Sequence, residues 1–190
     1  MGRRRALWAA AGGVLAVAAA GCSSGGPTRG GPLRETGVRM GEAAVMDVDM
    51  AGTYGAETLT NHGREPVVLD RVAFVGRTRG LELMTPLVLH VRTKPGTPAL
   101  VAGLVRRWPP AHGGTRLEPV AGFRIAPHRS WKDDAELLIG FRAHRKGVLS
   151  YSAIELRYHV GSTHYVTTYR DPLVICVPMS FPLRRCKPPR

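Results

Sequence analysis

Apolar and polar residues alternate with a period of two along most of the chain beyond residue 42. The clearest example is AIELRYHV at residues 153–160, where every second side chain from Ile154 to Val160 is apolar. The residues between them are glutamate, arginine and histidine. Because successive side chains of a β-strand point to opposite faces, this pattern predicts a strand with one face in a core and the other in solvent.

Further segments show strand patterns, separated by Gly- and Pro-containing turns. They are residues 42–50, with Ala44, Met46, Val48 and Met50 on one face; residues 57–60; residues 67–75, with Pro66 at the start; residues 86–91, with Leu87, Leu89 and Val91 on one face; residues 135–143, with Ala135, Leu137, Ile139 and Phe141 on one face; residues 163–169; and residues 172–177. No stretch after the N-terminal segment keeps a helical period of 3.6. The pattern predicts an all-β sandwich of seven to nine strands.

One segment adds a family resemblance. LTNHGREPVVL, residues 59–69, has a strand, a turn at Asn61–Gly63 and a second strand. It resembles the strand, Asn-x-Gly turn and strand of many extracellular immunoglobulin-like domains. The resemblance implies an immunoglobulin-like β-sandwich.

The N-terminal segment predicts export. Three arginines, Arg3 to Arg5, precede an apolar run from Ala6 to Ala20. At ~1.5 Å per residue, this run is shorter than the ~30 Å core of a bilayer. A basic start followed by a short apolar run is typical of a signal peptide. The pair Arg4–Arg5 resembles a twin-arginine signal, so the export route remains open.

The end of this signal resembles a bacterial lipobox. Ala19, Ala20 and Gly21 precede Cys22, and the resemblance implies cleavage before Cys22, which then carries diacylglycerol. We therefore predict a signal peptide at 1–21, a lipidated cysteine with a flexible tether at 22–36, and a β-sandwich domain at 37–190. Gly, Ser, Pro and Thr after the cysteine suit a tether. A plain secretory signal is the alternative.

The charge of the chain suggests what surrounds it. The formal net charge is +13, and three of these charges lie in the predicted signal, so about +10 remains. We expect attraction to anionic phospholipids or wall polymers on the outer face of the cell membrane, or to another envelope protein. Nucleic acid is not an expected partner there. Alternatively, the arginines reflect a GC-rich genome, and the composition resembles that of actinobacterial lipoproteins.

The cysteines predict one disulfide bond. The chain has three cysteines, and Cys22 is assigned to the lipid. Cys176 and Cys186 remain in a compartment where disulfides persist, and a bond between them would hold the C-terminal tail to the last strand. A thiol-based redox or copper-binding pair is the alternative.

Two loops offer candidate ligand contacts. They combine tryptophan, which stacks on sugars or cations, with basic side chains that bind anions. Their candidate residues are Arg106, Arg107 and Trp108 in the first loop, and Arg129, Trp131 and Lys132 in the second. The alternative is that both tryptophans close the open ends of the sandwich.

No catalytic motif emerges from the sequence, so we expect a non-enzymatic binding or accessory domain without a cofactor. An envelope enzyme with unrecognised residues is the alternative. Asp47 and Asp49 lack the glycine and glutamate of a calcium loop, and Met46 and Met50 suit a core better than a copper site.

One candidate metal site remains. If Gly161 and Ser162 form a two-residue turn, His159 lies opposite His164, at ~5 Å. Two imidazoles can share Zn²⁺ or Cu²⁺, but the sequence places no third ligand. An exposed polar pair is the alternative.

Overall fold

The computed structural model describes residues 26–34, 42–91, 104–111 and 116–187. The predicted signal at 1–21 and the predicted lipidation site, Cys22, lie outside these residues. Within the described ranges, no helix has the length and apolar character that a membrane span requires.

Strands dominate the described residues. The strands are β1 (Thr28–Arg29), β2 (Glu42–Val45), β3 (Ala51–Leu59), β4 (Val67–Val75), β5 (Leu81–Leu83), β6 (Leu87–His90), β7 (Leu104–Val105), β8 (Glu118–Pro119), β9 (Arg124–Ile125), β10 (Ala135–Ala143), β11 (Gly147–Tyr151), β12 (Ala153–Val160), β13 (Thr163–Tyr169) and β14 (Leu173–Val177). Two 3₁₀ turns lie at Trp131–Asp133 and Leu183–Arg185. Nine of these strands have four residues or more.

The strands form three sheets. A five-stranded sheet has the order β1-β13-β12-β4-β9, and a three-stranded sheet has the order β11-β14-β2. The third sheet has the order β7-β3-β10-β6-β8, and β5 also pairs with β10. Residues of all three sheets contribute to one large hydrophobic core. The predicted all-β sandwich is therefore confirmed.

Strand β10 shows how the sequence produces the core. The predicted inward face of β10 is confirmed, because its alternate residues from Ala135 to Phe141 are fully buried in the main core. Leu138, on the opposite face of β10, is also buried and packs in a second cluster with Leu87, Leu89 and Trp108. Leu87 and Leu89, which we predicted to share one face of β6, thus pack in this second cluster. Val88, which lies between them on the other face, packs in the main core instead.

The strand predicted over residues 42–50 is wrong after Val45. Strand β2 ends there, and Asp49 has a φ of 62°, which an extended strand cannot accommodate. The chain turns at this point to pass from β2 to β3. Val48 is consequently exposed, at 39 %, and does not share the buried environment of Met46.

The predicted turn between β3 and β4 is organised by a buried asparagine. The Asn61 side chain accepts a hydrogen bond from the backbone N–H of Gly63 at 2.9 Å and donates one to the carbonyl of Ile125 at 3.0 Å. Strand β4 begins at Val67, so Pro66 precedes the strand instead of opening it. The asparagine thus joins this turn to strand β9.

The predicted disulfide between Cys176 and Cys186 is confirmed. The Cα atoms of Cys176 and Cys186 are 5.8 Å apart, and the bond links β14 to the C-terminal 3₁₀ turn. Both cysteines are buried against Val174 and Phe181. Closing a loop of this size stabilises a fold by about 3 kcal/mol in the chain-entropy model. The alternative of a free thiol pair is not supported.

Part of the predicted tether packs on the sandwich. Strand β1 pairs in parallel with β13, within the range 22–36 that we expected to be flexible. Leu33 is 1 % exposed, and its carbonyl accepts a hydrogen bond from the Thr167 hydroxyl at 2.9 Å. Thr28 and Arg29 therefore belong to the five-stranded sheet, and Leu33 packs on the sandwich through an isolated bridge to Asn61.

Candidate functional site

The hairpin of β12 and β13 brings the two predicted histidines together. Gly161 and Ser162 form its turn, and Gly161 adopts a positive φ of 55°. His159 lies directly opposite His164, as the sequence predicted, and their ring centroids are 5.5 Å apart. Both side chains project from the outer face of the five-stranded sheet, away from the core.

A bulge in strand β4 supplies a third polar side chain that the sequence analysis missed. The pairing of β4 with β12 shifts here, because Arg157 lies opposite Arg71 whereas Tyr158 lies opposite Leu69. Asp70 is the extra residue, so Asp70 and Arg71 both face outward. Bulges of this kind redirect side chains and are frequent beside functional sites.

Asp70 lies between the two histidines. Its Oδ1 atom is 2.8 Å from Nδ1 of His159, and its Oδ2 atom is 3.6 Å from Nδ1 of His164. One potential ligand atom from each of the three residues lies within 4.8 Å of the others. Asp70 and His159 are about one-third exposed, and His164 is more open. We call Asp70, His159 and His164 the His–Asp cluster.

A shallow cavity of about 280 Å³ adjoins this cluster. Arg71 and Arg157 contribute to its lining. The Arg157 guanidinium donates two hydrogen bonds to Oε1 of Glu155, at 3.0 and 3.1 Å, so this carboxylate partly offsets the charge of Arg157.

A second, polar groove of about 610 Å³ lies at the β1–β13 edge of the same sheet. Arg29, Arg34 and Arg170 line it, together with Glu155, Thr167 and Thr168. We call these three arginines the edge arginines. They come from two distant parts of the sequence, and the pairing of β1 with β13 brings them together.

The two tryptophans predicted as ligand contacts have different environments. Trp108 packs against the β10 backbone, since a Cβ atom built on Gly140 would lie 2.3 Å from its ring. This contact favours the structural alternative for Trp108. Trp131 is 45 % exposed, and Nζ of Lys132 lies 5.6 Å from the centre of its ring.

The two predicted loops meet the sheet at different points. Trp108 covers Gly140, whereas the 3₁₀ turn that holds Trp131 leads into Ala135, at the start of β10. Gly140 lies five positions after Ala135 along the strand, a distance of about 17 Å. The basic residues Arg106, Arg107 and Arg129 are exposed.

The aspartates considered as a calcium loop have protein partners instead. Oδ1 of Asp47 accepts a hydrogen bond from the backbone N–H of Met179 at 3.0 Å. Oδ1 of Asp49 lies 2.6 Å from Nδ1 of His144, and Oε2 of Glu82 lies 2.7 Å from Nε2 of the same ring. Hydrogen bonds to Asp49 and then Glu82 raise the pKa of His144 above its usual value of 6.5.

We expect His144 to make the stability of the fold pH-dependent. A histidine with a raised folded-state pKa stabilises the fold fully below its unfolded pKa, and this contribution is lost as the pH rises through the folded pKa. Urea unfolding of the parent and His144→Ala should therefore differ more at about pH 5.5 than at about pH 9. A difference that stays constant, or grows with pH, would contradict this assignment.

Asp171 is a buried carboxylate that lines neither the cavity beside the His–Asp cluster nor the polar groove. Asp171 is 3 % exposed, and the Tyr54 hydroxyl donates a hydrogen bond to its Oδ2 atom. Burial, followed by the contact with Asp171, strongly raises the pKa of Tyr54. This pair ties β3 to the segment before β14 inside the core, which indicates a structural role.

Comparisons with known proteins add no family to this picture. No model of a known protein family matches the sequence, and no curated protein matches it. The functional argument therefore rests on the chain's own residues.

Proposed function

We propose that this chain is a bacterial lipoprotein, held on the outer face of the cell membrane by a lipid on Cys22. In this proposal, the sandwich is a non-enzymatic domain that binds anionic phospholipid headgroups through the edge arginines. The support comes from the lipobox-like residues, the basic composition and the position of the polar groove.

The observation that carries the proposal is the position of the edge arginines relative to the anchor. Thr28, the first residue of β1, is only six positions after Cys22. Six residues of extended chain span at most about 20 Å. A lipid on Cys22 would therefore hold the β1–β13 edge close to the membrane, with Arg29 and Arg34 beside it.

Electrostatics support the same orientation. Each Lys or Arg near an anionic membrane surface contributes roughly 1 kcal/mol of attraction, which decays within a Debye length of ~8 Å at physiological salt. The short tether allows charges on the β1–β13 edge to approach the membrane within this distance. By contrast, Arg106 follows β7, an edge strand of a different sheet, and its Nη1 atom lies 4.0 Å from the sulfur of Met179.

Vesicle co-sedimentation tests the proposal. The probe protein is residues 22–190 with Cys22→Ala, which removes the lipid, and the vesicles contain phosphatidylglycerol. Replacing the edge arginines with alanine should weaken binding roughly 100-fold, at ~1 kcal/mol each. The matched control replaces Arg106, Arg107 and Arg129, which also removes three charges, and should weaken binding less.

Three further binding measurements, with added salt, neutral vesicles and purified cell walls, identify what the domain binds. Binding should fall with added salt and should be absent from neutral phosphatidylcholine vesicles. Equal losses of binding for the two triple variants would contradict the assigned face. They would mean that binding depends on net charge alone. Binding to purified cell walls but not to phosphatidylglycerol would identify an anionic wall polymer as the ligand instead.

A further inference from the structure

We infer that Asp70, His159 and His164 bind a divalent transition metal ion, Zn²⁺ or Cu²⁺. The inference is independent of the proposed membrane contact, because it rests on the His–Asp cluster and not on the edge arginines. The sequence alone left this site with two ligands, and the β4 bulge supplies the third.

The backbone holds the three ligands close together before any ion binds. His159 and His164 are fixed opposite each other by the hairpin register, and Asp70 is fixed beside them by the bulge. The potential ligand atoms already lie within 4.8 Å of one another. Side-chain rotations on these strands are therefore enough to bring them around one ion, with no change of fold.

The donor set indicates the type of metal. Imidazole nitrogen suits Zn²⁺, Cu²⁺ and Ni²⁺, whereas Ca²⁺ and Mg²⁺ prefer sites built from oxygen ligands. Zn²⁺ bonds to nitrogen and to carboxylate oxygen are both about 2.0–2.2 Å long, so two imidazoles and one carboxylate can surround one ion. Three protein ligands leave one position of a tetrahedral ion open.

The surroundings set a limit on the affinity. The cluster is partly exposed, and Arg71 lines the adjoining cavity, so its positive charge opposes a bound cation. The Arg157 charge is partly offset by Glu155. We therefore expect weaker binding than in a buried structural zinc site with four ligands.

Calorimetric titration of the full chain, purified in detergent and without an affinity tag, tests the site. The titrants are ZnCl₂ and CuCl₂ alone, and the variants are Asp70→Asn and His164→Ala. Each variant should weaken binding of the preferred metal by about 10–100-fold, since loss of even an outer partner of a metal ligand costs that much.

His128→Ala is the matched control. Nδ1 of His128 lies 2.8 Å from Oδ1 of Asp134, the same distance as in the His159–Asp70 pair, but outside the cluster. This variant should retain the parent affinity.

The His164 side chain is 64 % exposed, so its removal should leave the fold intact, which circular dichroism checks. No binding by the parent, or equal binding by His164→Ala and the parent, would overturn the inference.

Discussion

Phe141→Ala is expected to lower the free energy of unfolding by about 3–5 kcal/mol, the range for a buried aromatic side chain cut to alanine. Phe141 is fully buried in β10, where β3 and β5 pair with it on either side. Its ring covers Gly52, where a Cβ atom would lie 2.4 Å from the ring. Because hydrogen-bonded strands flank β10, the surroundings cannot collapse to fill the cavity.

Urea unfolding measures this effect, with Val75→Ala as the control. Val75 also lies in a strand, β4, but its side chain is 44 % exposed. Its truncation should change stability by no more than about 0.5 kcal/mol. Equal effects of the two substitutions would mean that β10 is not the centre of the core.

Cys22→Ala is expected to abolish lipid attachment and signal cleavage. The lipobox resemblance implies that signal peptidase II cuts only before a lipidated cysteine, so the variant should remain an uncut precursor without lipid label. Each buried CH₂ of an acyl chain contributes about 0.8 kcal/mol to membrane affinity, and the variant loses this contribution. Fatty-acid labelling in the native cell and gel mobility measure both outcomes.

The other two cysteines provide the control for this experiment. Cys176→Ala with Cys186→Ala removes the disulfide, but leaves Cys22 in place. This double variant should still carry the lipid label, whatever its stability. Normal labelling and cleavage of Cys22→Ala would contradict the assigned anchor.

The strands that period-two alternation predicts are those with one clear apolar face. β12 and β13 follow this pattern, and the Gly161–Ser162 turn determines their register, so the His159–His164 pair was predictable. β10 was also predictable, although it is buried on both faces, because its inward residues alternate without a break.

Residues 42–50 show where alternation misleads. The apolar spacing continues through a turn, so the pattern cannot reveal that the strand ends. The backbone at Asp49 adopts a left-handed conformation, which depends on tertiary contacts of the turn rather than on periodicity. Local pattern alone therefore overextended this strand.

The bulge that positions Asp70, the third residue of the His–Asp cluster, is visible in the apolar pattern of the sequence. Val67 and Leu69 point inward, as do Val72 and Phe74, so the apolar phase shifts by one residue at Asp70. Such a shift indicates a bulge, but it does not reveal which strand lies alongside. Asp70 and His159 are 89 positions apart, and only the sheet order brings them together.

The position of the edge arginines could not be predicted from the apolar pattern. β1 has only two residues, too few for any period, and it lies in a stretch whose Gly and Pro content predicted a flexible tether. Its pairing with β13 places Arg29 near Arg170 across a large sequence separation. From the sequence we instead predicted ligand contacts in the Trp-containing loops.

The intact mass of the chain extracted from cell membranes tests the proposed anchoring most directly. We expect a mature protein that begins at Cys22, carries diacylglycerol on that cysteine, and has a mass two hydrogens below that of the fully reduced form because of the Cys176–Cys186 bond. A mature chain that begins elsewhere, or that begins at Cys22 without a lipid, would contradict the proposed lipoprotein.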